Sequence, residues 1–327
     1  MRGQKSAAAF AHFQRRAGLK RSFYMRNAPN MDLLSQLCQY LFTGLTLGSI
    51  YALVALGFTM IYGATGIINL AQGEFVMLGG LIMVFSSTVL HLPLLLAFIF
   101  TVIVVTLLGA LFERLAIHPL KNASLITLIM ITLAGSILFR GGAMFIWGKD
   151  PYGLPAFSGD RPWYLGGATI QPQIFWVLGI TGIAVLAIGI FFNRTLTGKA
   201  MIACACNPLA ARLLGINVWK LVLLSFALSA ALGAIAGIII TPITLMEYDR
   251  GPMLALKGFS AAVLGGLGSS MGAVLAGFLI GIIESLGAGL ISSGYKDALA
   301  LLVLLIVLWL KPSGILGSAE ESALKKF

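Results

Sequence analysis

Charged side chains are scarce in this sequence, and histidine and cysteine are scarcer still. Only 10% of the 327 residues are Asp, Glu, Lys or Arg, whereas 59% are hydrophobic; an ordinary soluble domain carries roughly a quarter charged residues and about half apolar ones. That deficit excludes a water-soluble globule, because the surplus apolar surface needs lipid as its solvent. Cys38, Cys204 and Cys206 form no CxxC pair, and His12, His91 and His118 have no HExxH-like spacing. Neither a structural zinc site nor a histidine-based catalytic centre is therefore expected. A phosphate-wrapping loop of the form G-x-x-x-x-G-K-[ST] is also missing: the nearest fragment, Thr197-Gly198-Lys199-Ala200, lacks the first glycine and the hydroxyl. The chain is accordingly not read as an enzyme, and no cofactor is assigned to it.

Positive charge is present, but it is concentrated. Of 22 basic residues, seven fall within residues 1–30 with no acid among them, which leaves 15 basic against 11 acidic residues in the rest of the chain. That remainder contains no basic stripe interleaved with aromatics, so a nucleic-acid partner is excluded. Residues 1–30 lack the apolar core of a secretory signal and have the arginine-rich, acid-free composition of an organellar presequence. They are read as a disordered extension, or as sequence upstream of a true start at Met31. Three regions result: the extension 1–30, a transmembrane domain over 31–317 and a cytoplasmic tail over 318–327.

What fills that central region is apolar sequence. A bilayer-spanning helix needs about 20 mostly apolar residues, and stretches of this kind fall at about 37–62, 73–90, 93–112, 124–147, 173–193, 220–243, 271–291 and 296–310. The spacing predicts an all-α, polytopic membrane bundle of about eight full spans. A shorter, glycine-rich segment at 257–269 and residues 63–74 read as broken or re-entrant elements, which lipid tolerates only where protein or a water-filled cavity surrounds them. The loop at 194–220 holds Arg194, Lys199, Arg212 and Lys220 without an acid, so it is placed in the cytoplasm, as is 113–121. The balanced loops at 148–172 and 244–257 are placed outside. Small residues four apart, as in Gly233 with Gly237 and Gly277 with Gly281, predict close helix packing.

Several ordered motifs are distinctive. They begin with Gly44 to Gly57, Tyr62-Gly63 and Gly66 to Gly80, followed by Glu113-Arg114 and Pro119-Leu120. Ala203-Cys204-Ala205, Asn207, Ala210 and Leu213 to Asn217 come next, and Phe259 to Ser269, Gly281 to Glu284, Tyr295 to Asp297 and Lys311 to Gly317 close the series. Together they resemble the LivH-type permease family of branched-chain amino acid importers over about residues 31–317. The resemblance implies an ATP-binding cassette importer permease in a prokaryotic inner membrane, of the kind that translocates branched-chain or related amino acids. It implies as partners a second homologous permease, two cytoplasmic ATP-binding subunits that carry ATP and Mg2+, and an extracytoplasmic solute-binding protein. It also implies a coupling helix in the 194–220 loop, with Ala203, Ala205, Ala210, Arg212, Leu214 and Gly215 as contacts to the ATPase. Asn207-Pro208 stands where the family often has acidic residues, and Gln72 where relatives often have histidine.

Two intramembrane carboxylates remain. A charge at membrane depth is costly and commonly marks a pathway. Glu74, with Asn69, Gln72 and Gly73, either lines the translocation path or braces broken backbone by accepting hydrogen bonds from freed N–H groups. Glu284 has the same two readings, and Gly265 and Gly266 complete the candidate pore elements. Rival readings are import of urea or short amides by the same architecture, a self-sufficient secondary transporter, and an intramembrane enzyme. A secondary transporter would carry paired buried acids and bases, and an enzyme would carry facing nucleophile and base.

Overall fold

A computed structural model describes residues 33–120, 123–159, 161–165, 168–311 and 314–316. The extension 1–30 and the tail 318–327 lie outside the described residues. The chain is a helical bundle, and its sheet content among the described residues is one short hairpin, β1 (Trp163–Leu165) paired antiparallel with β2 (Ala168–Ile170). The helices are α1 (Leu33–Thr65), α2 (Gln72–Thr88), α3 (Leu94–Phe112), α4 (Leu125–Trp147), α5 (Gln173–Arg194), α6 (Leu196–Cys206) and α7 (Pro208–Leu213). They continue with α8 (Val218–Ile240), α9 (Arg250–Gly265), α10 (Ser270–Leu290) and α11 (Lys296–Leu310). A single π-helical turn, Glu113–Ile117, and a 3-10 turn extend α3 to Leu120.

Seven helical stretches among the described residues are long and apolar enough to cross a membrane, against the eight full spans expected. The difference is α2, whose 17 residues from Gln72 to Thr88 fall just short of a full span. The expected broken element at 257–269 is also different. It is a continuous 16-residue helix, α9, that starts seven residues earlier than the apolar pattern, so that much of the supposed outer loop 244–257 is helical. A proline in the first helical turn gives up an N–H that has no intrahelical acceptor, so Pro252 suits the start of α9.

Interhelix contacts sort the loops into two ends. At one end, Tyr152 and Met246 exchange backbone hydrogen bonds of 2.8 and 2.7 Å, and Gln39 accepts from the Thr169 amide at 2.9 Å. At the other, Gly63 faces Ala205, His118 stacks edge-on to Trp219, and the Ile315 amide bonds the Leu264 carbonyl. The second end carries the acid-free loop and is read as cytoplasmic.

The core lies where α1, α2, α8, α9 and α10 meet, and glycine makes it. A methyl group on Gly44 or Gly48 would strike backbone atoms of Ile282 or Phe278, and one on Gly277 or Gly281 would strike Ala52 or Gly48. Two four-residue glycine repeats thus bring α1 and α10 to backbone contact, which maximises dispersion where lipid offers no hydrophobic drive. Gly233 and Gly237 seat α8 on Phe75 and Val76 of α2 in the same way. In contrast, α4 and α11 bury few side chains and expose large apolar ones such as Leu138, Phe145, Leu305 and Trp309, which suits a face turned to lipid or to another apolar subunit.

Candidate functional site

The first sequence-identified group lies where α1 gives way to α2. Gln72 contacts Gly57, two turns before the end of α1, so the connecting residues Gly66 to Ala71 fold back into the bundle. The irregular backbone is enclosed by protein, as membrane depth requires. Asn69 Oδ1 accepts from the Ala71 amide at 3.1 Å, and the Leu70 amide donates to Thr132 Oγ1 at 3.2 Å. Gln72, fully buried, donates to the Ser229 carbonyl at 3.1 Å, and the Ser229 hydroxyl lies 2.6 Å from Gln72 Oε1 and 2.9 Å from the Gly57 carbonyl. This arrangement ties α1, α2 and α8 together.

Glu74, on the first turn of α2, is wholly buried. There the helix dipole favours a negative charge. Ser136 of α4 donates to Oε1 at 2.7 Å, whereas Oε2 has no hydrogen-bond partner among the described residues. A Cβ on Gly251, in the first turn of α9, would collide with this carboxylate, and one on Gly73 would collide with the Gly251 carbonyl. The glycine pair therefore allows α2 and α9 to meet around a buried acid. Gly265 and Gly266 lie elsewhere, in the inner turn between α9 and α10. Gly265 packs on Gly272, Gly266 takes a positive φ of 99°, and the Ile315 and Leu316 amides cap the end of α9. They close a helix end and are distant in sequence and contact from Glu74.

Glu284 belongs to a second cluster that sequence reading missed. Lys257, only 8% exposed, places Nζ 2.6 Å from Glu284 Oε1, 2.7 Å from Asp297 Oδ1 and 3.1 Å from the Tyr51 hydroxyl, which itself donates to Glu284 Oε2 at 2.8 Å. Four helices contribute: α1, α9, α10 and α11. The cluster borders a cavity of about 230 Å3 at the outer end, also lined by Arg250, Lys296 and Leu254. The available signal was the distance of Lys257 from its partners, 27 and 40 residues along the chain, which only the fold closes.

At the inner end the acid-free loop is a pair of helices. Thr195 caps α6 through its side chain, accepting from the Gly198 amide at 3.0 Å. Asn207 then breaks the helix and caps α7, accepting from the Ala210 amide at 2.9 Å, with Pro208 in the first turn, where a proline is favoured. Gly215, at φ 81°, ends α7, and its amide reaches the Arg212 carbonyl at 3.0 Å. Asn207-Pro208 thus starts a helix, and one expected helix becomes two. Ala203, Ala210, Arg212, Leu214 and Gly215 are exposed, and Leu209, Leu213 and Leu214 expose 69%, 83% and 80% of their surface. Ala205 instead turns inward to a cavity of about 390 Å3 that it shares with Met60, Gly63, Phe192, Met201 and Met271. Arg212 lies over the Trp219 ring at 5.8 Å. Cys204 is buried against the bundle, which pushes its thiol up from the usual range against the opposing Arg212 charge, whereas Cys206 is exposed.

A family model described as branched-chain amino acid transport system / permease component matches residues 40–308. The chain is 34% identical over 299 residues to the high-affinity branched-chain amino acid transport system permease protein LivH of Salmonella typhimurium, covering 86% of this chain and 96% of that one. It is 33% identical to the corresponding protein BraD of Pseudomonas aeruginosa, with the same two coverages. A ribose import permease protein of Haemophilus influenzae is 28% identical over 79% of this chain and 80% of its own. With a bundle of membrane-length helices, a family match across most of its length and 34% identity to LivH over the aligned residues, this multi-pass membrane protein belongs to the branched-chain amino acid transport permease family.

Proposed function

We propose that the chain is the membrane channel subunit of an ATP-driven importer that carries branched-chain amino acids across a prokaryotic inner membrane. A solute-binding protein delivers the cargo from outside. A second homologous permease completes the path, and two cytoplasmic subunits bind ATP with Mg2+ and drive it. The observation that carries this reading is the capped helix pair α6–α7. It presents three largely exposed leucines and a cationic Arg212 from the basic end, held at both ends by α5 and α8. Exposed apolar side chains on a short, well-capped helix suit insertion into a groove of a partner protein. Force applied there would reach the core directly, because α6 packs on α1 through Gly63 and Ala205.

The test is co-assembly. With ATP-binding subunits present, Leu213→Glu or Arg212→Glu should abolish stimulation of ATP hydrolysis by loaded binding protein while the permease still inserts. Normal coupling in both variants would remove the assignment.

A further inference from the structure

The outer cavity holds more charge than a structural brace requires. One buried lysine is neutralised by one carboxylate, and Glu284 already supplies it at 2.6 Å with Tyr51 holding its second oxygen. Asp297 adds a second acid at 2.7 Å, yet 39% of its side chain is exposed, so it faces both Lys257 and open space. Across the same cavity stand Lys296 and Arg250, the latter paired at 2.6 Å with Glu247. Arg250 is answered by Glu247 from outside the lining, so Lys257 and Lys296 set against Glu284 and Asp297 leave two charges of each sign bordering a cavity of about 230 Å3. A neutral solute finds no use for such a lining, and a singly charged one would leave it unbalanced. A zwitterion leaves it neutral and offers a partner to each sign.

We propose that this cavity is a transient binding site for the α-ammonium and α-carboxylate of an amino acid entering from the outer face. The ammonium takes Asp297 in place of Lys257, and the carboxylate takes the lysine charge so released, with Lys296 beside it. Exchange of one ion pair for two keeps every buried charge compensated throughout, which a low-dielectric site demands. The aliphatic side chain then lies against Leu47, Met253 and Leu254, which line the same space. Tyr51 and Glu284 stay in place and hold Lys257 at the cavity wall. An ionisable group at membrane depth usually marks a solute path, and here the path has a stated chemistry. The inference rests on the importer reading and adds the place where the permease itself discriminates cargo.

The experiment uses the complete transporter in nanodiscs, without its binding protein, and follows binding of labelled leucine by scintillation proximity. 3-Methylbutylamine and 4-methylpentanoate, each keeping one of the two charges, serve as competitors. Wild type should bind leucine and prefer it to either competitor by about tenfold, the worth of one charge-assisted hydrogen bond. Asp297→Asn should lose about tenfold in leucine binding and its preference over the acid, and Asp297→Glu should restore both, with unfolding temperatures unchanged. Equal binding in Asp297→Asn and wild type, or a loss that tracks a fall in unfolding temperature, would overturn the site. ATP-driven leucine uptake by the wild-type complex with its binding protein is measured in parallel. Uptake without the binding behaviour sinks this inference alone, and failure of uptake sinks the importer reading beneath it.

Discussion

Lys257 shows what a single residue can conceal. With Glu247, Asp249 and Arg250 it makes up the balanced charge of an expected outer loop, yet the side chain is buried and compensated by two acids and a tyrosine. Lys257→Met would leave Glu284 buried without its cation, at a cost of about 3–5 kcal/mol. The expected outcome is a large drop in the unfolding temperature of detergent-solubilised protein, partly recovered when Glu284→Gln is added. At Glu74 the constraint is space as well as charge. Because Gly251 faces the carboxylate at contact distance, Gly251→Ala should displace it and reduce uptake by about tenfold or more, as should Glu74→Gln. Normal uptake in both variants would reduce Glu74 to a helix-end brace. The burial of Glu74 was legible, since an acid at membrane depth must find protein around it; its glycine partner, 177 positions along the chain, was not.

Between residues and bundle, the elements differ in how openly the sequence declares them. The glycine seam of α1 and α10 was half visible: Gly277 and Gly281 announce a close-packing face, and only the fold identifies Gly44 and Gly48 as its other side. Gly281→Val should therefore separate these two helices and destabilise the bundle by about 1–3 kcal/mol or more, read as lost thermal stability and lowered insertion yield. The α6–α7 pair was visible as a basic loop, but its division was hidden because Asn207-Pro208 reads equally as a break and as a start. Asn207→Ala removes the cap of α7 at a cost of about 1 kcal/mol, and Gly215→Val forces a branched side chain into a left-handed conformation at about 1–3 kcal/mol. Both should weaken ATPase coupling and leave insertion unchanged. Native cysteines report on the same element. At pH 8, below the raised Cys204 pKa, that thiol stays protonated and shielded, so a membrane-impermeant maleimide should label Cys206 ahead of Cys204. Labelling should occur from the cytoplasmic face alone, and bound ATPase subunits should protect Cys206. Labelling from outside would invert the topology.

At the scale of the whole molecule, hydropathy was enough to establish a helical membrane bundle, because lipid leaves the backbone few other ways to satisfy its hydrogen bonds. It was weaker on α2 and α9, which are shorter than a full span and owe their place to packing, α2 against α8 and α9 against α1, rather than to apolar length. The outer ionic cluster was illegible, since a charge pattern says nothing of which distant helices become neighbours. The proposed function divides the labour between these levels: the outer cavity would take cargo, the glycine-packed core lies between, and the inner helix pair would receive force from a partner. The most direct measurement is leucine uptake into proteoliposomes containing this chain with its second permease, ATP-binding subunits and binding protein. Uptake should require internal ATP and Mg2+ and should cease when the ATP-binding subunits are left out. Accumulation driven by an ion gradient alone, with the chain reconstituted by itself, would contradict the account.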